Sequence, residues 1–243
     1  LSTVSVAVLI TIWVVVTQRQ WVRPLFLPPP GMLWEAFIEI ISRLPADMFA
    51  SLVVRIIPGF LLGSLSGILL GILMGTNKVM RAIIDPIVEI LRPLPPLALI
   101  PLLILWFGIG NMTQILLIAF GSFIILVITT VEAVRNVPPI YIQAAYTLGA
   151  TPRQVFRRVI IPAIIPDIFG GIRVAAAASF GYDVAAELMG APSGLGYLLI
   201  IARRFLNTDT IIVVMAIITL LSFLADQSIR RLNNYLTRWK PRL

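Results

Sequence analysis

Two carboxylates, Asp183 and Glu187, stand four residues apart in the apolar stretch RVAAAASFGYDVAAEL. On a helix that spacing puts both on one face. A positioned acid and base is one chemistry such a pair offers. The rest of the chain supplies no support for it. There is no His and no Cys, which removes imidazole acid–base catalysis, thiol nucleophiles, thiolate metal sites and disulfides. No GxxxxGK[ST] phosphate loop occurs, so the chain is not itself a P-loop ATPase. No catalytic residue and no metal site is expected. The two carboxylates are read instead as paired with Arg173, Arg203 or Arg204, or as lining a wet cavity, and the cavity is preferred for Asp183. Glu132 and Asp226 fall near the inner ends of their own apolar runs. Asp85, Glu89 and Arg92 cluster at the inner start of another, where the three-residue spacing from Glu89 to Arg92 suits an ion pair.

The elements that carry these groups are long and greasy. Of 243 residues, 59% are hydrophobic and 12% charged, and mean hydropathy is +0.99. A soluble domain is about 45–50% apolar and about 25% charged, so lipid is the expected solvent. A span takes about 20 apolar residues. Candidates fall at roughly 3–17, 52–75, 86–107, 113–133, 163–189 and 210–226, which makes an all-α, polytopic membrane protein with about six transmembrane helices in one domain, 1–243. The first is short and the chain starts at Leu1, so a natural N-terminus lying further upstream is expected. Val4–Thr17 has no basic flank or small-residue cleavage site and reads as a span rather than a signal. The third contains Pro93, Pro95, Pro96 and Pro101 and is expected to be kinked or unwound.

Lys and Arg segregate between the two sets of loops. Lys78, Arg81, Arg92, Arg135, Arg153, Arg157, Arg158 and the tail residues Arg230, Arg231, Arg238, Lys240 and Arg242 make one set. Arg19, Arg23, Arg43, Arg203 and Arg204 make the other, with Arg55 and Arg173 inside spans. The richer set belongs in the cytoplasm, which places both termini there. The net charge of +8 is thereby explained without nucleic acid. On the external side, Leu25–Pro45 opens with prolines and continues as an amphipathic helix, with Trp34, Phe37, Ile38 and Ile41 opposite Glu35, Glu39 and Arg43. It either lies along the outer interface or packs there as a structural helix. Gly190–Thr210 re-enters or skims the membrane, and Thr208 or Asp209 is expected to cap the last span.

Gly59, Gly63, Gly67, Gly71 and Gly75 recur every four residues. They form one stripe on the second span, the device by which helix backbones approach closely in membranes. The fifth span is similarly small-sided at Ala175–Ala178, Gly181, Ala185 and Ala186, which leaves room for a pathway.

One polar segment interrupts the lipophilic chain: QAAYTLGATPRQVFRRVIIP, Gln143–Pro162. A first short helix, Ile140–Leu148, follows Pro138 and Pro139. Gly149 is a natural left-handed stop. Thr151 as N-cap, Pro152 at N1 and Gln154 at N3 make a capping box for a second helix predicted to end at Pro162. Two short helices with a glycine elbow make a docking surface of fixed shape.

Gln143-Ala144-Ala145, Gly149 and Val159-Ile160-Ile161-Pro162 keep the spacing of the EAA loop, so this segment resembles the coupling loop of permease subunits of bacterial ATP-binding-cassette importers. Gln143 replaces the pattern's Glu. LFLPPP, LRPLPPLALIPLLILWFGIG, AAYTLGAT, AAEL and GLGYLL extend the likeness over nearly the whole chain and look like the nitrate/sulfonate/taurine branch. The resemblance implies a type I importer permease fold in the bacterial inner membrane, surrounded by lipid. It also implies a second permease copy, a cytoplasmic ATPase dimer that binds ATP and Mg, and an external substrate-binding protein. Residues 138–162 would be the coupling loop, with Gln143, Ala144, Ala145, Tyr146, Leu148, Gly149, Thr151 and Arg153 facing the ATPase. From the small-sided fifth span and its carboxylates, rather than from the resemblance, Ser179, Asp183 and Glu187 are read as lining the translocation path. The implied substrate is a small anion such as taurine or another alkanesulfonate, with nitrate, bicarbonate, an aromatic acid or a vitamin precursor as alternatives. A stand-alone secondary transporter or channel would show internal repeats, and none is evident.

Overall fold

A computed structural model describes residues 2–19 and 21–238. Lys240 and Arg242 of the basic tail lie outside the described residues. Among the described residues, twelve α-helices are joined by two π-helical segments and one 3₁₀ turn. In order they are α1 (Ser2–Gln18), α2 (Pro30–Ile40), α3 (Leu44–Phe49), α4 (Ile57–Thr76), α5 (Lys78–Leu91), α6 (Ile100–Phe107), α7 (Asn111–Arg135), α8 (Pro139–Thr147), α9 (Pro152–Val155), α10 (Ile161–Glu187), α11 (Leu195–Arg204) and α12 (Thr208–Leu236).

Among the described residues, four continuous helical stretches are long and apolar enough to cross a bilayer: Leu44–Thr76, Asn111–Arg135, Pro152–Glu187 and Thr208–Leu236. The pair α5 and Pro96–Phe107, bent by 82°, makes a fifth if counted as one broken span. The bend falls at Arg92–Pro95, the proline-rich break expected in the third span, although its helix begins earlier, at Lys78. The packing requires this pair to cross. Gly59 faces Ile115 and Ile118, Gly67 faces Phe123, and Gly75 faces Val134, so α4 and α7 run parallel. A chain leaving one parallel helix must return across the membrane to start the next. Val88 of α5 packs with Met74, Val127 and Val131 at one end, and Ile100 and Leu103 pack with Leu117 and Ala186 at the other. The sixth expected span, α1, has 17 residues. At 1.5 Å per residue that is about 26 Å, just under the roughly 30 Å of a hydrocarbon core.

The Leu44–Thr76 and Pro152–Glu187 stretches share one device. In each, a short α-helix leads into a π-helical segment, Ala50–Ile56 or Phe156–Ile160, and then into a long helix with proline near its start. Pro58 and Pro162 lack an N–H, and their rings would collide with a carbonyl one turn earlier. Widening that turn removes the conflict: the Ile57 N–H donates to the Leu52 carbonyl and the Ile161 N–H to that of Phe156. The predicted stop at Pro162 therefore does not occur. The second elbow helix continues through it as a span.

The glycine stripe is the central seam. A methyl group on Gly67 would lie 2.8 Å from the Phe123 carbonyl oxygen, and one on Gly71 would lie 2.9 Å from that of Val127. Backbones this close gain dispersion contact along a whole helix, the principal attraction between helices in lipid. α10 packs antiparallel on the other side of α7, with Ser122 Oγ 3.2 Å from Ser179 Oγ. α12 packs antiparallel on α10, joined by Arg173 and Asp226. The amphipathic segment before α3 is α2. Its Ala36 and Ile40 are buried with Leu33 and Phe37 against Leu195, Leu198, Val213 and Val214, whereas Trp34, Ile38 and Ile41 are exposed. α2 thus packs on α11 and α12 through a different face from the one grouped by sequence. At α12 the N-cap is Asn207. Thr208 and Asp209 both lie in the first turn, and Asp209 Oδ1 accepts the Thr210 N–H.

Candidate functional site

Two regions carry the polar chemistry, one at each end of the Pro152–Glu187 stretch. The first is the elbow. α8 begins after Pro138 and ends at Thr147, and Gly149 has φ +79°. The Gly149 N–H donates to the Tyr146 carbonyl and the Ala150 N–H to that of Ala145, which closes the helix end. The capping box is present: Thr151 Oγ1 accepts the Gln154 N–H, and Gln154 Oε1 accepts the Thr151 N–H at 2.7 Å. Val155 is buried and anchors the elbow, while Arg157 and Arg158 are exposed. Gln143, Ala145 and Ala144 show one half-buried and two exposed positions on α8. Tyr146 and Leu148 are 49% and 88% exposed. Thr151 and Arg153 are exposed too. Ile140, Tyr141, Tyr146 and Leu148 are exposed together on this segment.

The second region is a buried polar knot. Arg55, Glu187 and Asp183 are all at most 1% exposed. Arg55 Nη1 pairs with Glu187 Oε1. Arg55 also donates through Nε to Asn111 Oδ1 at 2.8 Å, through Nη1 to the Ser193 carbonyl at 2.9 Å and through Nη2 to Ser193 Oγ at 3.3 Å. Glu187 is the second hub. It accepts from Ser51 Oγ at 2.7 Å and, through Oε2, from the N–H groups of Gly196 and Tyr197. The Leu195 N–H donates to Ser51 Oγ at 3.0 Å, and that of Gly194 to Asp47 Oδ1 at 2.8 Å.

The first turn of α11 is thus capped by side chains from other elements. Four amides that a helix start leaves without partners are taken up by Asp47, Ser51 and Glu187. A carboxylate at a helix N-terminus is also favoured by the helix dipole. Asp47, Ser51 and Arg55 reach the knot together because four-residue steps fall on one face of a wide π turn. Gly194 has φ +121°, and a methyl group there would overlap the Glu187 carboxylate and lie 2.6 Å from Arg55 Nη1.

Glu187 therefore pairs with Arg55, not with Arg173, Arg203 or Arg204. Arg173 is held by Asp226, with Nε to Oδ1 at 2.6 Å and Nη2 to Oδ2 at 3.1 Å. Arg81 pairs with Asp85 at 3.9 Å, while among the described residues Glu89 and Arg92 form no ion pair. Ser179 is fully buried and donates to the Ala175 carbonyl at 2.8 Å. Ser179, Asp183 and Glu187 all lie inside the packed bundle. Asp47, Ser51, Arg55, Asn111 and Ser193 are the members that sequence reasoning missed. A lone arginine within an apolar run was the available signal for Arg55, and Asn111 carried none.

The fold is a multi-pass bundle of the type I ABC importer permease architecture. The chain belongs to the binding-protein-dependent transport system inner membrane component family, whose model matches residues 67–239. It is a permease subunit of an ABC importer. It is 38% identical to the taurine transport system permease protein TauC of Escherichia coli (strain K12), over 98% of this chain and 89% of that one. It is 36% identical to SsuC of Bacillus subtilis (strain 168), a chain named for aliphatic sulfonates transport, over 96% and 85%. In structure it is similar to the MetNI methionine ABC transporter, with a TM-score of 0.69 and 21% identity, covering 82% of this chain and 98% of that one. It is likewise similar to an amino acid ABC transporter, with a TM-score of 0.64 and 18% identity over 84% and 98%.

Proposed function

We propose that this chain forms the translocation path of an ATP-driven importer for taurine or another alkanesulfonate, as one of two permease copies. The observation that carries the substrate is the 38% identity to the taurine permease over 98% of the chain. An external binding protein delivers the substrate, and a cytoplasmic ATPase dimer carrying ATP and Mg supplies the work. The elbow side is cytoplasmic, as are both termini, in keeping with its excess of Lys and Arg. The first elbow helix enters a groove of the ATPase, with Tyr146 and Leu148 supplying apolar contact, Gly149 the turn, and Thr151 and Arg153 the flank. Gln143, Ala144 and Ala145 complete that face. Ser179, Asp183 and Glu187 act on the path from within the bundle wall.

The test is ATP-dependent uptake into proteoliposomes holding the permease, its ATPase and its binding protein. Taurine and ethanesulfonate should accumulate, and nitrate should not. A vitamin precursor is the second reading, favoured by 34% identity over 64% of this chain to the riboflavin transport system permease protein RibX of Chloroflexus aurantiacus. Riboflavin uptake without taurine uptake would select it.

A further inference from the structure

We propose that Asp183 and Glu187 are alternative seats for the Arg55 guanidinium, and that exchange between them latches and releases the N-terminus of α11 at the face opposite the elbow. The inference rests on the importer reading and adds the device by which motion at the elbow reaches the far side.

One observation is mechanical. The helix leaving the Thr151 cap runs unbroken from Pro152 to Glu187, 36 residues, or about 54 Å at 1.5 Å per residue. Its first residue is at the elbow and its last is the hub of the knot. A displacement imposed on the elbow therefore arrives at Glu187 without passing through a loop.

A second is electrostatic. Asp183 lies one turn before Glu187, about 6 Å along the axis, on the same face. It is 1% exposed. Its Oδ1 is buried without a hydrogen-bond partner, a costly arrangement in a packed interior. Glu187, in contrast, has its acceptors filled. Two carboxylates on one helix thus compete for one guanidinium, and in this state Glu187 holds it. A slip of α10 by one turn against the Ala50–Ile56 segment would bring Asp183 to Arg55. One-turn ratchets of this kind are a recognised mode of switching, because packed interfaces have discrete rather than continuous arrangements.

A third concerns what is released. Glu187 Oε2 holds the Gly196 and Tyr197 amides, and Ser51 and Asp47 hold those of Leu195 and Gly194. When Glu187 moves away, the start of α11 loses two of its four caps, those on Gly196 and Tyr197. The glycines at 194 and 196 admit the carboxylate now and permit the segment to rearrange afterwards. Asp183 is a positioning residue here, acting through Arg55, and touches no substrate.

The experiment is amide hydrogen exchange on the permease assembled with its ATPase in nanodiscs, comparing nucleotide-free and vanadate-trapped states. Exchange at Gly196 and Tyr197 should accelerate about tenfold or more on trapping. Asp183→Asn, which keeps the shape and removes the charge, should abolish that acceleration while leaving nucleotide-free protection as in the parent. Asp183→Glu should restore it. If the complex hydrolyses ATP but these amides exchange equally in both states, or if Asp183→Asn accelerates like the parent, the switch is wrong and the importer reading stands. If the permease does not assemble with an ATPase, both fall. Should the Asn variant fail to fold, the parent comparison decides alone.

Discussion

Gly63 of α4 lies directly against the backbone of Ala119 of α7: a methyl group at Gly63 would come within 2.9 Å of both Cα and the carbonyl carbon of Ala119. Backbone cannot swing aside as a side chain does, so Gly63→Ala must part the two helices. The expected loss is about 1–3 kcal/mol, the usual range for overpacking, read as a fall in Tm in detergent. Gly170→Ala has nothing within 4 Å of the added carbon and should not lower Tm, since Ala favours the helix over Gly. Equal behaviour of the two variants would contradict the seam.

The Arg55–Glu187 pair predicts non-additivity. Removing one partner of a buried pair strands the other charge, at about 3–5 kcal/mol. Arg55→Met and Glu187→Gln should each lower folded yield sharply, and the double variant should lose less than the sum of the two. A thermal-stability cycle on the purified permease measures the coupling, and strict additivity would show that the pair is not the organising contact.

Gly149 turns the elbow at φ +79°. A side chain there costs roughly 1–2 kcal/mol, with Asn the best tolerated. Gly149→Pro also imposes a negative φ and removes the N–H that bonds Tyr146. It should abolish uptake and ATPase copurification while the protein still inserts. Gly149→Asn should retain both. Wild-type uptake by the Pro variant would remove the elbow from the coupling route.

The capping box gives a graded test at the same place. Thr151→Ala deletes the oxygen that accepts the Gln154 amide, worth about 1 kcal/mol of local helix stability. Exchange at Gln154 and Val155 should rise accordingly. Thr151→Ser keeps the oxygen and should behave as the parent.

The sequence alone determined whatever depends on spacing along one helix or within one turn. The glycines at every fourth residue declared a close seam because four residues nearly complete a helical turn. Thr151, Pro152 and Gln154 declared a cap because its partners are three residues apart. The prolines at 93–96 declared a break because each removes a donor. Tertiary structure decided whatever joins distant elements. The packing partner of the glycine stripe is 56 residues on, at Ala119 for Gly63. The partner of Glu187 is Arg55, 132 residues away, and neither residue type names the other. The continuation through Pro162 also needed the fold, since a proline ends a helix or survives a π turn according to whether the surrounding packing holds the chain on its course. Local rules wrote the elements and the elbow. Only the approach of α3, α7, α10 and α11 made one buried knot of Asp47, Ser51, Arg55, Asn111 and Glu187.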